Sequence, residues 1–421
     1  MKYFVVIILL FFSLSASNAE KYTSLAKALK NPLKVDSLDL SYQSLSEFPQ
    51  EIFLCKNLRY LNLSFNPLTS IPEEIGNLVN LTTLDLTNNR TNQLLTSLPP
   101  QIWNLVNLRE LNLHGVELTS LPAEIGNLVN LTELNLGYTP LTSLPPQIGN
   151  LVNLTKLDLS SNSLTSLPPQ IGHLVNLREL YLNTNQLTIL PPQIWNLVNL
   201  TKLGLNANQL TSLPPQIGNL VNLRELCLNT NQLTSLPPHI GNLVNLTKLQ
   251  LVENQLTNIP PQIGNLVNLT ELWLYTNQLT SLPFEITKLK NCEIYLRLDD
   301  KLWIAPSLLY ALKKNNCKVY NYSNPLDAWC SHYTWNQDQR FIYRVDVAVK
   351  NESQYFLKNI WLDIIVNDSK GNQQYKKNHG ININLNAGEQ QNYGVELTSP
   401  IYYFKQDPYK YKIEVEITDA Q

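Results

Sequence analysis

Histidines, cysteines and paired carboxylates are the residue types from which a catalytic or metal centre would be built, and their spacing here forms none. Five histidines, at 114, 173, 239, 332 and 379, fall at no separation used by metal ligands. No Gly-rich phosphate loop, nucleophile elbow or EF-hand loop occurs in the sequence. Asp299 and Asp300 could bind a cation, but two neighbouring exposed acids are ordinarily just solvated. Asn-Leu-Thr triplets such as Asn153-Leu154-Thr155 formally match glycosylation acceptors, yet they recur because the whole surrounding segment recurs. These residues predict a protein that is not an enzyme and needs no cofactor or metal.

Five cysteines allow at most two internal disulfides. Cys55 stands where neighbouring repeats carry a core leucine, so it reads as a small buried hydrophobe. Cys292 and Cys317 flank the end of the regular segment and form a possible disulfide there, and Cys227 is the candidate unpaired thiol. With 31 basic and 33 acidic residues, a net charge of −2 and no Lys/Arg run, nothing in the chain matches a phosphate backbone. Nucleic acid is excluded as a partner on that ground.

The elements that must position any site are set by a repeat. Near-copies of LPPQIGNLVNLT begin at Phe48, Ile71, Leu98, Leu121, Leu144, Leu167, Leu190, Leu213, Leu236 and Ile259, spaced by 23 residues except for one interval of 27. A fixed period in the twenties signals a solenoid. Within each unit, as in Lys156-Leu157-Asp158-Leu159, alternation of period two predicts a short strand with leucines inward. Pro145 and Pro146 then suit an extended segment or the first turn of a short helix that carries the chain back. One coil cannot bury its own leucines, but stacked coils bury them against each other.

The pattern LPxxIGNLxNLxxLxLxxNxLTS resembles the leucine-rich repeat in its short bacterial form, over residues from about 35 to 300. The resemblance implies an α/β repeat solenoid, curved, with a parallel sheet on its concave side and a protein ligand bound there. It also implies a ladder of asparagine amides bonded to adjoining backbone turns, at Asn66, Asn89, Asn162, Asn185, Asn208, Asn231, Asn254 and Asn277. Gln43, Val116 and Thr139 depart from that pattern, which predicts a weaker ladder across the third to fifth strands.

Around the array, residues 1–19 read as a secretory signal peptide, with Lys2 ahead of an apolar run too short to span a bilayer. Residues 20–47 read as an N-terminal cap with the first strand, 48–281 as repeats, and 282–323 as a degenerate last repeat and cap. From 324 to 421, runs such as RFIYRVDVAVKN and LKNIWLDIIVND predict a small all-β sandwich that resembles immunoglobulin-like domains. The expected product is exported, whether secreted, periplasmic or at the cell surface, and monomeric, without a transmembrane segment.

Recognition should use outward strand positions, since packing fixes the inward ones. The first outward column, from Glu110 to Glu271, alternates acid and base over much of its length and so reads as a device that fixes stacking. The other columns are irregular and end on Trp273 and Tyr275, beside Gln250, Val252 and Glu253, with Tyr181 as an outlying contact. Large aromatics on a solvated face suit a protein partner, host or cell-surface, or a glycan. The alternatives are that these rings pack under the C-terminal cap, or that the chain is a self-associating structural component of a cell envelope.

Overall fold

A computed structural model of the chain describes residues 21–87, 95–296, 302, 304, 306–321, 341–350, 357–368, 373–385, 390–402 and 411–420. The expected leader over 1–19, ladder residue Asn89 and the acids Asp299 and Asp300 lie outside the described residues. Two compact units are present, Met1–Thr211 with Gln216–Cys227, and Ser212–Pro215 with Leu228–Gln421.

The first unit holds helix α1 (Leu25–Ala28) and strands β1 (Lys21–Tyr22), β2 (Ser37–Asp39), β3 (Tyr60–Asn62), β4 (Thr83–Asp85), β5 (Glu110–Asn112), β6 (Glu133–Asn135), β7 (Lys156–Asp158), β8 (Glu179–Tyr181), β9 (Lys202–Gly204) and β10 (Glu225–Cys227). Each pairs in parallel with the next in chain order, leucine opposite leucine at the central position from β2 onward. The coil around β7 is representative: Ile148, Leu151, Leu154, Leu157, Leu159 and Leu164 are all fully buried. Each such side chain contributes about 1.5–3 kcal/mol of hydrophobic free energy, and none could be buried by one coil alone.

The return segment is a 3-10 helix, Pro146–Asn150 in this coil. Pro145 before it is extended, at φ −70° and ψ 148°, and its carbonyl accepts a 3.0 Å bond from the Ile148 N–H. Pro146 fits the first helical position because the N–H it lacks would have no partner there. Gly149 lets successive return helices close up: a Cβ there would lie 2.6 Å from the Gln170 carbonyl oxygen of the next coil. Trp103 and Trp195 occupy that glycine position in their own coils and are nonetheless buried, each about 3 % exposed.

Between strand and return helix the chain turns through one left-handed residue per coil, for example Ser161, Thr184 and Ala207, with φ between 51° and 56°. For a residue with a Cβ this costs roughly 1–2 kcal/mol. The next residue offsets it. Asn185 donates from Nδ2 to the Leu159 carbonyl of the preceding coil at 2.9 Å and to its own Leu182 carbonyl at 3.1 Å, and its Oδ1 accepts the Leu164 N–H at 3.0 Å. Asn66, Asn162 and Asn208 make the same set of bonds. At the position occupied by Thr139 a hydroxyl stands in, 2.8 Å from Asn162 Oδ1. Val116 fills its place with a buried apolar side chain, and the Gln43 amide instead reaches the Thr23 carbonyl.

A second ladder runs outside the first. Asn153 of the string NLVNLT donates from Nδ2 to the Val129 carbonyl of the preceding coil at 2.9 Å, and Thr155 Oγ1 reaches the Thr132 carbonyl at 3.0 Å. Asn107, Asn130, Asn176 and Asn199 repeat the amide bond at 2.8–2.9 Å. The residues that mimic glycosylation acceptors are thus occupied in holding coil to coil.

The second unit contains β11 (Lys248–Gln250), β12 (Glu271–Trp273), β13 (Glu293–Leu296), helix α2 (Pro306–Lys314) and β14 (Lys318–Asn321), with β11 to β14 parallel in chain order. Asn231, Asn254 and Asn277 hold its turns, Asn254 donating to the Leu228 carbonyl at 2.9 Å and Asn277 to the Leu251 carbonyl at 2.8 Å. Five longer strands follow: β15 (Phe341–Lys350), β16 (Leu357–Asp368), β17 (Gln373–Leu385), β18 (Gln390–Tyr402) and β19 (Tyr411–Ala420). β15 pairs antiparallel with β18, and β16 lies between β17 and β19, antiparallel to both.

The disulfide expected between Cys292 and Cys317 is absent. Both residues are buried free thiols at matching positions just before β13 and β14, and Cys317 Sγ turns instead to the Leu289 carbonyl at 3.3 Å. Burial pushes both thiols above the ordinary cysteine range. Cys55 is a third buried thiol.

The two ladders should separate in a denaturation experiment. Asn185→Ala leaves buried backbone groups without partners and should lower the unfolding free energy by about 1–3 kcal/mol, whereas Asn153→Ala, whose site is exposed, should cost only about 0.5–1 kcal/mol. Equal losses in urea titrations would contradict this assignment.

Candidate functional site

Outward side chains of the strands form the surface on which the sequence places recognition, and the two units carry different chemistry there. In the first, a cavity of about 220 Å³ lies over β3 to β7, lined by Tyr60, Asp85, Glu110, Glu133, Asn135 and Lys156 among others. Glu110 and Glu133 are direct register partners, so two like charges stand side by side. Further along the face, Lys202 lies between two acids, 3.5 Å from Glu179 and 3.8 Å from Glu225. Such exposed pairs contribute about 0.2–1 kcal/mol each, enough to favour register and little more. Among the described residues no three His, Cys, Asp or Glu side chains converge as metal ligands would.

Tyr181 projects from β8 in this unit, half-buried, and its hydroxyl donates to Glu179 Oε2 at 3.0 Å. Burial, then the adjacent Glu179 carboxylate, pushes its phenol well above the usual tyrosine range.

In the second unit Trp273 and Tyr275 do not both point outward. Tyr275 is 2 % exposed and Val252 is fully buried, because the strand lasts only three residues and the period of two ends with it. Beyond Trp273 the chain bends into the turn, where the Val252 N–H donates to Asn229 Oδ1 at 2.8 Å and the Tyr275 carbonyl accepts the Glu253 N–H. Gln250 is 9 % exposed and accepts from Asn229 Nδ2 at 3.3 Å. Glu253, half-buried, sits in the left-handed turn position and accepts from the Thr230 hydroxyl at 3.0 Å. Trp273 and its register partner Gln250 are the members of this group that lie within the strands, and of the two Trp273 is the more exposed.

Its neighbours there are two residues the sequence reading missed, Tyr295 and Tyr320. Register pairs Trp273 with Tyr295 and Tyr295 with Tyr320. The Trp273 and Tyr295 rings are tilted with centroids 5.1 Å apart, and the Tyr295 and Tyr320 rings stack at 4.9 Å. All three are half-buried. Each polar tip is tied to a carboxylate two residues back along a strand or on the neighbouring one: Trp273 Nε1 donates to Glu271 Oε2 at 3.1 Å, the Tyr295 hydroxyl to Glu293 Oε2 at 2.7 Å, and the Tyr320 hydroxyl to Glu293 Oε1 at 3.2 Å. Lys248 lies 3.0 Å from Glu271 and 5.1 Å from the Trp273 ring centroid, and Lys318 lies 3.2 Å from Glu293. The triplets Glu293-Ile294-Tyr295 and Lys318-Val319-Tyr320 continue the register of Glu271-Leu272-Trp273, and that was the available signal. It lay in segments where the LP rhythm had already ended.

The family described as leucine-rich repeat region matches residues 33–136, 98–188, 123–209 and 183–302. Among solved structures, a leucine-rich repeat protein of Leptospira interrogans is 39 % identical, covering 72 % of this chain and 82 % of its own, with a TM-score of 0.63. An internalin of Listeria monocytogenes is 25 % identical over 70 % of this chain and 89 % of its own, with a TM-score of 0.56. The Drosophila Toll–Spatzle complex contains a chain 27 % identical, covering 68 % of this one and 41 % of its own, with a TM-score of 0.57. None of the curated proteins matches the sequence. No helix among the described residues is long and apolar enough to cross a membrane.

The carboxylate that ties the aromatic row together has a pH signature. The hydrogen bond from Tyr295 holds Glu293 below its ordinary value of 4.5, against the opposing effect of burial and with help from Lys318 and Tyr320. A depressed native pKa contributes stability that is complete above the unfolded value and is lost as pH falls through the folded one. Glu293→Gln should therefore lower the urea midpoint at pH 7, with the gap from wild type narrowing as pH falls below the ordinary carboxylate value of 4.5. A gap that persists in acid would show that the carboxylate charge is not what matters.

Proposed function

The chain belongs to the leucine-rich repeat family, and from that premise we propose that it is an exported, non-enzymatic binding protein that recognises a protein partner, host or cell-surface, through its strand face. The carrying observation is the row Trp273, Tyr295 and Tyr320, three rings on consecutive strands with their polar tips fixed by Glu271 and Glu293. Rings already held in place lose little freedom on binding, and Trp and Tyr are the residues that most often anchor interfaces. Tyr181, with its hydroxyl fixed by Glu179, is built the same way and is an outlying contact in this reading. The leader-like sequence over 1–19 supports export. We read the five antiparallel strands after residue 324 as an immunoglobulin-like sandwich that accompanies the repeats.

A second reading has one specific observation behind it. Aromatic faces beside carboxylates also suit a glycan, whose C–H faces stack on rings while its hydroxyls donate to Glu271 or Glu293.

Affinity capture from native surroundings, comparing wild type with Trp273→Ala and Tyr295→Ala, tests the protein reading. Each variant should weaken the captured interaction at least about tenfold while the thermal midpoint moves by only a few degrees, since the inward residues Leu272 and Ile294 are untouched. Unchanged capture by both variants would overturn it, and retention on a glycan array that is lost in Trp273→Ala would favour the second reading.

A further inference from the structure

The strand face is not the only surface whose composition is unusual. On the loop that leads from each return helix back to its strand, most coils carry an exposed valine: in the first unit Val79, Val106, Val129, Val152, Val175, Val198 and Val221, between 43 % and 54 % exposed. Packing does not require valine there. The same position carries Lys56 in the first coil and Lys290 near the end of the array, and both are exposed.

The valines form one continuous row. The second asparagine ladder bonds each coil to the valine carbonyl of the one before, Asn107 to Val79, Asn130 to Val106, Asn153 to Val129, Asn176 to Val152 and Asn199 to Val175. Neighbouring valines therefore follow one another coil by coil along the array. Together they expose roughly 400 Å² of apolar surface, comparable with the largest patch on a typical monomer, which is often functional. The flanking surface is also unusual. The segments 98–108, 144–155, 190–201 and 213–223 contain no Lys, Arg, Asp or Glu and 121–132 contains a single acid, Glu124, while Glu73 and Glu74 precede Val79 and Arg109, Arg178 and Arg224 follow Val106, Val175 and Val221 by three residues. Interface centres are depleted in charge in this way, whereas solvated flanks are ordinarily rich in it.

We propose that this valine row is a self-association surface, and that its occupant is the same row of a second copy of the chain. A two-fold contact sets the patch against itself, so it must be complementary to itself. The valine side chains meet that condition because they carry no charge to set against a like one. The period adds a further constraint, because a partner must repeat coil for coil to match seven successive valines, and the second copy does so by construction. The apolar part covers about half of the roughly 800 Å² per partner that a standard interface buries. Lys56, at the start of the array, bounds the row and limits the assembly to a register in which valines meet valines.

Sedimentation velocity of the full chain over a range of micromolar concentrations tests this, with Val152→Lys/Val175→Lys as the variant. Lysine is the residue the chain itself tolerates at this position, and an unchanged circular-dichroism melt confirms the fold. The expected result is a dimer in the wild type whose dissociation constant rises at least about tenfold in the variant. Trp273→Ala should leave the dimer unchanged, which separates this surface from the strand face. A wild type that stays monomeric across the range, or an assembly indifferent to the two lysines, would overturn the proposal. So would a monomeric wild type that loses a different captured protein when the lysines are introduced.

Discussion

The turn after each strand is what the whole array depends on. Stacking requires the chain to leave the strand abruptly, which places a residue with a Cβ in the left-handed region and leaves backbone carbonyls and N–H groups facing the interior. In most of the described coils one asparagine amide satisfies these groups on both sides, as Asn185 does by donating to two coils and accepting from one of them. An apolar residue cannot do so, and an unsatisfied buried group costs about as much as burying a leucine gains. The leucines supply the driving force, and the amide makes the geometry that buries them affordable. Where Val116 interrupts the ladder the chain uses Gly115, with φ 73°, at the turn instead of a residue with a Cβ, so loss of the amide coincides with loss of the strain it would have offset.

That logic explains why the scaffold was legible in the sequence and parts of the surface were not. Leucines, prolines and the turn asparagine recur at one period because each performs one packing task per coil. The second ladder was hidden by its own regularity: Asn153 and Thr155 recur as faithfully as the leucines, and without coordinates a repeated polar residue cannot be told from a repeated solvated one. Tyr275 and Val252 were misplaced for the opposite reason. Alternation was carried two residues beyond Asp158-type positions, although the strand ends there and the following side chains fold into the turn.

Tyr295 and Tyr320 show a third limit. Period detection weights the leucine and proline positions, and those degenerate toward the end of the array, while the outward strand residues keep their register through Glu293 and Lys318. Register outlasts consensus because it is enforced by backbone pairing, which is indifferent to side-chain identity. The aromatic row could have been found by following the triplet of strand residues past the point at which the LP rhythm stops.

Charge divides the surface in a way that follows from the same backbone. Strand positions stand next to their register partners at about 4.8 Å, where like charges repel and opposite charges attract, so a column such as Glu179, Lys202 and Glu225 has something to gain from alternating. Loop positions on the flank have their backbone groups taken up by the asparagine and threonine ladders, and their side chains are exempt from that pairing. Nothing in the coil geometry opposes lysine there, as Lys56 shows. Folding tolerates lysine at this position, so the valines from Val79 to Val221 are free to serve a surface that meets another copy of itself, with the recurrence of the segment supplying their regularity.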